Sequence, residues 1–193
     1  MADLDVQPKQ RGAWWLWLLM VLFIIGAVAL FFRGCGTKAV KIEGATVNWD
    51  SVDFNSARIA DSDVTDTGII VRGNGHYTIY TLGENILFAT DQHVLQPGAD
   101  ARLRQISASL QRHFSGASIG IYGNTDWTGS DAHNRQLGAD RAAAVKNWLI
   151  NVAGIDSAKI SIHSQGENRP VATNVTAAGR QQNRNVEIVA FNN

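Results

Sequence analysis

Two residues of opposite charge, Asp126 and Arg141, occupy positions in the sequence that are suited to a binding site. Asp126 follows an alternating run, residues 117–123, that is typical of a strand. Arg141 falls in a helix predicted over residues 131–152, on the side that also carries Asn134. A carboxylate suits an ammonium group, and a planar guanidinium binds a carboxylate through two hydrogen bonds. The pattern indicates a small polar pocket that would accept a zwitterion.

A second interpretation pairs Asp126 directly with Arg141, as a salt bridge that ties a loop to the helix. Breaking a buried ion pair costs about 3–5 kcal/mol, so a purely structural pair would also resist substitution. Gly138, which costs about 1 kcal/mol against alanine in a helix interior, would clear space beside Arg141. Spacing alone leaves both interpretations open.

The elements that must position these residues alternate between strand and helix. Residues 67–82, "TGIIVRGNGHYTIYTL", are two β-prone runs around Asn74-Gly75, which predicts a hairpin. Apolar spacing predicts helices over 97–114, 131–152 and 175–183, a further apolar run over 85–89, and strands over 117–123, 159–164 and 185–191. The helix over 131–152 is expected to bury Leu137, Val145, Trp148, Leu149 and Val152. Strands alternating with helices indicate a layered arrangement with helices on one face of a sheet.

The N-terminal part has a different composition. Residues 13–32 are uncharged and almost wholly apolar, and a helix of 20 such residues spans a hydrocarbon core of about 30 Å. This predicts a transmembrane helix, although Ala27-Val28-Ala29 also fits the cleavage site of a signal peptide. We therefore expect a short tail over 1–12, the transmembrane helix or signal anchor over 13–32, a linker or loosely structured segment over 33–66, and a globular domain with its leading hairpin over 67–193.

Composition argues against several classes of function. The 193 residues carry a formal net charge of zero, which argues against a nucleic-acid interface. A single cysteine, Cys35, excludes an internal disulfide framework, and the five histidines lack metal-ligand spacing. No zinc-protease motif or serine triad order is recognisable. Asp126 and Asp131 are a nearby acid pair, but Asp131 at a helix start is better explained by the helix dipole. We expect neither an enzyme nor a protein that needs a metal or cofactor.

Residues from about 80 to 191 resemble the OmpA-like domain, the peptidoglycan-binding module of OmpA and MotB proteins. Three segments carry the resemblance in order: "ILFATDQHVLQPGADARLRQISASL", which is similar to the opening strand, loop and first helix, then "YGNTDWTGSDAHNRQLGADRAAAVKNWLINVAGI" and "QGENRPVATNVTAAGRQQNRNVEI". The resemblance implies an α+β fold, a two-layer α/β sandwich in which helices pack on one face of a mixed β-sheet.

The resemblance also implies a ligand, the meso-diaminopimelate of the peptidoglycan stem peptide. Asp126 matches the family acid that takes the ammonium group, and Arg141 matches the arginine that takes the carboxylate. The other implied site residues are Asn134 at the loop-to-helix junction, Arg184 as a second positive contact, and Thr90 and Asp91 in the loop after the opening strand. Departures from the family pattern are Asn185, Gly138, Ala89 and Ser164, none of which is the acid or the arginine.

These expectations describe a single-pass protein of the bacterial cell envelope that tethers a membrane, or a membrane complex, to the cell wall. Its partners would be peptidoglycan, the membrane through residues 13–32, and an envelope protein or a second copy of the chain, but not nucleic acid. The flanking charges do not fix orientation, but the resemblance implies that the domain faces the cell wall from the periplasm, and we expect the anchor in the inner membrane. The alternative is a scaffold, stator or secretion-complex subunit whose domain mainly binds a protein.

Overall fold

The computed structural model describes residues 47–89 and 91–191. Its strands are β1 (Ile69–Gly73), β2 (Tyr77–Gly83), β3 (Ile119–Asn124), β4 (Ile160–Gly166) and β5 (Asn185–Phe191). They form one sheet in the order β1-β2-β5-β3-β4, in which only β3 and β4 pair in parallel. The predicted α+β fold with a mixed sheet is confirmed.

The helices are α1 (Glu84–Leu87), α2 (Ala99–His113), α3 (Asp131–Asn151) and α4 (Ala177–Asn183). The apolar run 85–89 therefore begins as a single helical turn rather than an opening strand, since the Phe88 N–H bonds back to the Glu84 carbonyl at 2.7 Å. Among the described residues, no helix combines the length and apolar composition that a membrane crossing needs. The span predicted over 13–32 lies outside the described residues.

The main core lies on one face of the sheet, under α2 and α3. It joins apolar residues of both helices to the inward-facing residues of the strands, including Leu103, Ile106, Leu110, Ala142, Val145, Leu149, Tyr80, Leu82, Ile121 and Ile188. In α3, Val145 and Leu149 are buried as predicted, whereas Leu137 and Trp148 are half-buried. Val152 is exposed because α3 ends at Asn151.

The opposite face of the sheet is partly covered by the segment that precedes β1. Trp49 and Phe54 pack with Val52 against aromatic and aliphatic residues of β2, β3 and β5. The Trp49 ring meets Phe191 edge-on at 5.2 Å, and the Asp53 N–H donates to the Tyr77 hydroxyl at 2.8 Å. Of the segment assigned to the linker, 33–66, residues 47–66 are described, and these contacts place their first part against the sheet.

β1 and β2 form an antiparallel hairpin at the position that the Asn74-Gly75 pair predicts. The Asn74 side-chain oxygen accepts hydrogen bonds from the N–H groups of His76 and Tyr77, at 2.8 and 3.2 Å. An asparagine side chain stabilises a turn in this way because it replaces a backbone acceptor.

Helix α3 crosses β3 with almost no space between the two backbones. A Cβ atom added to Gly123 would lie 1.8 Å from the Gly138 carbonyl oxygen, and one added to Gly138 would lie 2.6 Å from the Gly123 oxygen. Gly138 is therefore required for the approach of the helix to the strand. The sequence predicted that Gly138 clears space beside Arg141. In the structure, the group that Gly138 leaves room for is the backbone of Gly123.

We predict that Gly123→Ala lowers the free energy of unfolding by about 2–3 kcal/mol or more, because the methyl group would push α3 away from β3. Urea denaturation of the fragment 40–193 measures the change. Gly75→Ala is the control, because a Cβ there meets nothing within 4 Å, and its effect should stay within about 0.5 kcal/mol. Equal effects of the two substitutions would contradict the close-approach explanation.

Candidate ligand-binding site

One end of the sheet brings three chain segments together. In the antiparallel registers, Gly83 at the end of β2 and Asn124 at the end of β3 both lie opposite Asn185, the first residue of β5. The residues that continue from these positions, Glu84, Thr125 and Arg184, therefore meet at one edge. The N-terminus of α3 closes the same edge.

A cavity of about 260 Å³ opens at this edge. Its lining is mostly polar or charged and comprises Glu84, Asp91, Thr125, Asp126, Thr128, His133, Asn134, Leu137, Arg141, Arg180 and Arg184. Five of the six residues expected to bind ligand are among them. The sixth, Thr90, lies outside the described residues.

Asp126 is buried at the start of the loop that leads from β3 to α3, with 6% of its surface exposed. Its Oδ1 accepts the Thr128 N–H at 2.7 Å, and its Oδ2 accepts Arg184 Nη1 at 2.5 Å. Burial by itself would raise the pKa of this carboxyl, but the Thr128 backbone N–H and the Arg184 guanidinium together hold the pKa below its ordinary value. Asp126 is thus kept as a carboxylate.

Asn134 fastens this loop to the first turn of α3. Ser130 caps the N-terminus of α3, since its side chain accepts the His133 N–H at 3.3 Å. Asn134 is 2% exposed, and its Nδ2 donates to the Asp126 carbonyl at 3.2 Å and to the Glu167 carboxylate at 2.6 Å. These two bonds fix where the Asp126 carboxylate stands relative to the helix.

Arg141 is buried between α3 and the loop after α1, with only 1% of its surface exposed. Its Nε donates to the Gln92 carbonyl at 3.1 Å, its Nη2 donates to Glu84 Oε1, and its guanidinium lies 5.6 Å from the centre of the Phe88 ring. Burial lowers the pKa of Arg141, and the charge of Glu84 opposes that shift. Within the described residues, Nη1 makes no hydrogen bond.

The two charged residues singled out from the sequence do not pair with each other. Asp126 pairs with Arg184, and Arg141 pairs with Glu84, which also accepts Arg184 Nε on its other oxygen at 2.5 Å. The interpretation in which Asp126 and Arg141 form a salt bridge with each other is therefore wrong. Charges alternate along a connected series from Arg141 through Glu84 and Arg184 to Asp126. We call these four residues the charge chain.

Glu84 was missed by the analysis of the sequence. A signal was present, because Glu84 is the one acid within "YTIYTLGENILFA", a stretch of otherwise uncharged residues. An acid in such surroundings is buried only when it is paired, which calls for a basic partner elsewhere in the fold. Arg180 is a further basic residue at the cavity. It lines the cavity while its Nη1 donates to the Asn174 and Val175 carbonyls at 2.9 and 3.0 Å.

A second group of charged residues lies away from the cavity, where the segment before β1 meets α2. One side-chain oxygen or nitrogen atom from each of Asp61, Asp63 and His113 lies within 4.8 Å of the other two. Ser109 donates to Asp61 at 2.5 Å, and Asp63 pairs with Arg112 at 3.0 Å and with His113 at 3.1 Å. These bonds fasten the segment to the helix.

The range that matches a known family includes most residues of the cavity lining. The OmpA family model matches residues 87–184. Outer membrane protein A of Bordetella avium is 40% identical over 101 residues, which are 52% of this chain and 51% of that protein. Probable lipoprotein YiaD of Escherichia coli strain K12 is 31% identical over 137 residues, which are 71% of this chain and 61% of that protein. The chain thus spans less than two thirds of the length of these relatives.

A solved structure has the same fold. The cell wall anchor of the T6SS from Pseudomonas aeruginosa superimposes with a TM-score of 0.61 over 68% of this chain and 92% of that chain. The two sequences are 24% identical, so the likeness concerns the fold alone.

The depressed pKa of Asp126 predicts a specific dependence of stability on pH. The ionised carboxylate stabilises the folded state above its ordinary pKa of 3.8, and this contribution is lost as the pH falls through the lower folded value. The difference in unfolding free energy between wild type and Asp126→Asn should therefore be largest above about pH 4 and shrink below it. Urea denaturation from pH 2 to pH 7 measures it, and a difference that widens towards low pH would contradict the assignment.

Proposed function

We propose that this chain, which belongs to the OmpA family, binds peptidoglycan without covalent attachment, through the zwitterionic end of the diaminopimelate in the stem peptide. The observation that carries the proposal is a cavity whose walls hold a buried carboxylate, Asp126, and a buried guanidinium, Arg141. An amino acid end group presents one ammonium and one carboxylate, so it matches both walls at once.

Each wall has a group that could form a further hydrogen bond to the ligand. The carboxylate of Asp126 has further lone pairs beside those used by Thr128 and Arg184, and it would accept the ligand ammonium. Nη1 of Arg141 would donate to the ligand carboxylate, since Nε and Nη2 are held by Gln92 and Glu84. Hydrogen bonds between ionised partners are about twice as strong as neutral ones.

The remaining predicted residues would shape the entrance and hold the walls. Asn134 fixes the Asp126 loop on α3, and Arg184 holds the Asp126 carboxylate from the other side. Asp91 is exposed, lines the cavity and has a positive φ of 56°. We propose Thr90, the preceding residue, as a further ligand contact.

The size of the cavity supports a small end group as the part that is bound. A volume of about 260 Å³ is below the range of about 300–1,000 Å³ that is usual for whole small-molecule sites. A single site of this kind should bind weakly. Peptidoglycan repeats the same group many times, so several copies of the chain on one polymer would be held firmly.

We place the chain in the bacterial cell envelope. The names of two relatives describe an outer membrane protein and a lipoprotein, both of which belong to envelopes. In this chain, residues 13–32 would form a single-pass anchor in the inner membrane, and the domain would face the wall from the periplasm. The protein would then tether a membrane, or a membrane complex, to peptidoglycan by binding, without catalysis.

Co-sedimentation with purified peptidoglycan sacculi tests the proposed site. The full-length chain in mild detergent should pellet with sacculi that contain diaminopimelate, whereas Asp126→Asn and Arg141→Lys should reduce pelleting at least about tenfold, because each removes a charge-assisted contact or its geometry.

Matched control variants are available on the same helix. Asp131 and Arg135 form an exposed i,i+4 ion pair at the start of α3, so Asp131→Asn and Arg135→Lys change similar groups outside the cavity and should pellet like wild type. Failure of folded wild type to pellet would reject the proposal and direct the search to a protein partner. Release of soluble muropeptides from the sacculi would instead indicate an enzyme.

Membrane fractionation tests the proposed anchor. The full-length chain should stay with the membrane after an alkaline wash, because about 20 apolar residues in a helix cross the hydrocarbon core, and deletion of residues 13–32 should release it. Intact mass spectrometry of the protein in the membrane and soluble fractions provides the second readout. A mass that lacks the residues up to Ala29 would show that the segment is a cleaved signal peptide rather than an anchor.

A further inference from the structure

Glu84 occupies the centre of the charge chain. It is the first residue of α1, and its backbone N–H donates to the Arg184 carbonyl at 2.9 Å, which fixes its position at the sheet edge. With 6% of its surface exposed, it still lines the cavity. Oε1 accepts from Arg141 and Oε2 accepts from Arg184, so one carboxylate serves both guanidinium groups.

The carboxylate of Glu84 reduces the electrostatic repulsion between Arg141 and Arg184, which share one small cavity. The charge of Arg184 by itself disfavours protonated Arg141, whereas the charge of Glu84 favours it. Without a negative charge between them, both guanidinium groups would be free to donate to the same incoming anion. With Glu84 present, each guanidinium already donates a hydrogen bond from one of its nitrogens to the Glu84 carboxylate.

Glu84 also sets the charge of the whole cavity. The lining holds three carboxylates and three guanidinium groups, which are Glu84, Asp91, Asp126, Arg141, Arg180 and Arg184. With His133 counted as neutral, these charges sum to zero. A neutral cavity with separated charges favours a ligand that is neutral overall and carries both charges. Removal of the Glu84 charge would leave an excess of one positive charge, which favours a plain carboxylate.

We infer that Glu84 is the specificity-determining residue of the site: its carboxylate makes the cavity select a zwitterionic end group over a carboxylate that lacks the ammonium. The inference rests on the proposed function, because it concerns the same ligand and the same cavity. Glu84 acts as a positioning residue through Arg141 and Arg184 and as a fixed negative charge towards the ligand.

Two small-molecule probes with the same number of carbon atoms distinguish a preference for a zwitterion from a preference for a plain carboxylate. meso-Diaminopimelate carries an ammonium beside each carboxylate, and pimelate has the same seven-carbon dicarboxylate without them. Dissociation constants for both are measured by ligand-observed NMR on the full-length chain in detergent. Wild type should prefer diaminopimelate. Glu84→Gln keeps the size of the side chain and removes its charge, so the ratio of the two constants should move at least about tenfold towards pimelate.

Two variants control for charge and for folding. Asp66→Asn removes a carboxylate that pairs with Arg102 at 2.9 Å outside the cavity, so the selectivity ratio should remain that of wild type. Glu84→Asp retains the charge on a shorter side chain, so both probes should weaken together and the ratio should stay within about threefold of wild type.

The outcomes distinguish this inference from the proposed function. Wild type that binds diaminopimelate, with an unchanged ratio in folded Glu84→Gln, overturns the role of Glu84 and leaves the site itself supported. A shift of the ratio in Glu84→Asp towards pimelate by about tenfold or more overturns the role of charge, because the charge is retained there. Wild type that binds neither probe overturns the proposed function together with the inference.

Discussion

The structure at the ligand cavity depends on the cost of burying charge. Arg141 is almost completely enclosed, and an isolated guanidinium in that position would be strongly destabilising. The charge chain lowers the free-energy cost of burying these charges. Glu84 pairs with Arg141, and each inner member of the chain lies between two groups of opposite sign. Its acidic end, Asp126, and its basic end, Arg141, are the groups that we propose to bind a ligand with both charges. The interaction that stabilises the buried arginine therefore also fixes the electrostatic character of the cavity.

The sheet supplies the geometry that this alternation requires. β5 lies between β2 and β3, so the chain leaves β2, enters β5 and leaves β3 at one edge. Glu84, Arg184 and Asp126 come from these three places. The fourth member arrives on α3, which reaches the edge only because Gly138 lets the helix backbone touch β3 at Gly123. A side chain at either glycine would clash with the backbone of the other, and α3 carries Arg141, so the charge chain depends on the packing of this helix on β3.

Much of the local structure could be predicted from periodicity. The helix predicted over 131–152 is α3, Asp131–Asn151, and the strand predicted over 185–191 is β5. The run 85–89 was less predictable, since apolar composition does not distinguish a strand from the helical turn that Glu84 begins. Val152 was expected to be buried because the helical stripe was extended one residue beyond the true end of α3. Such errors arise at element ends, where tertiary contacts decide where the helix stops.

The sequence by itself singled out five of the residues that line the cavity, and Glu84 is the charged residue that it missed. The types of Asp126, Asn134 and Arg141 and their spacing across a strand, a loop and a helix were sufficient, because these elements follow each other closely along the chain. Only the tertiary structure decided the pairing. Glu84 and Arg184 are separated from Asp126 by 42 and 58 residues, and no local pattern specifies which acid accepts which arginine. The order of strands in the sheet makes that choice, because it brings distant chain segments to one edge, where buried charges must neutralise one another.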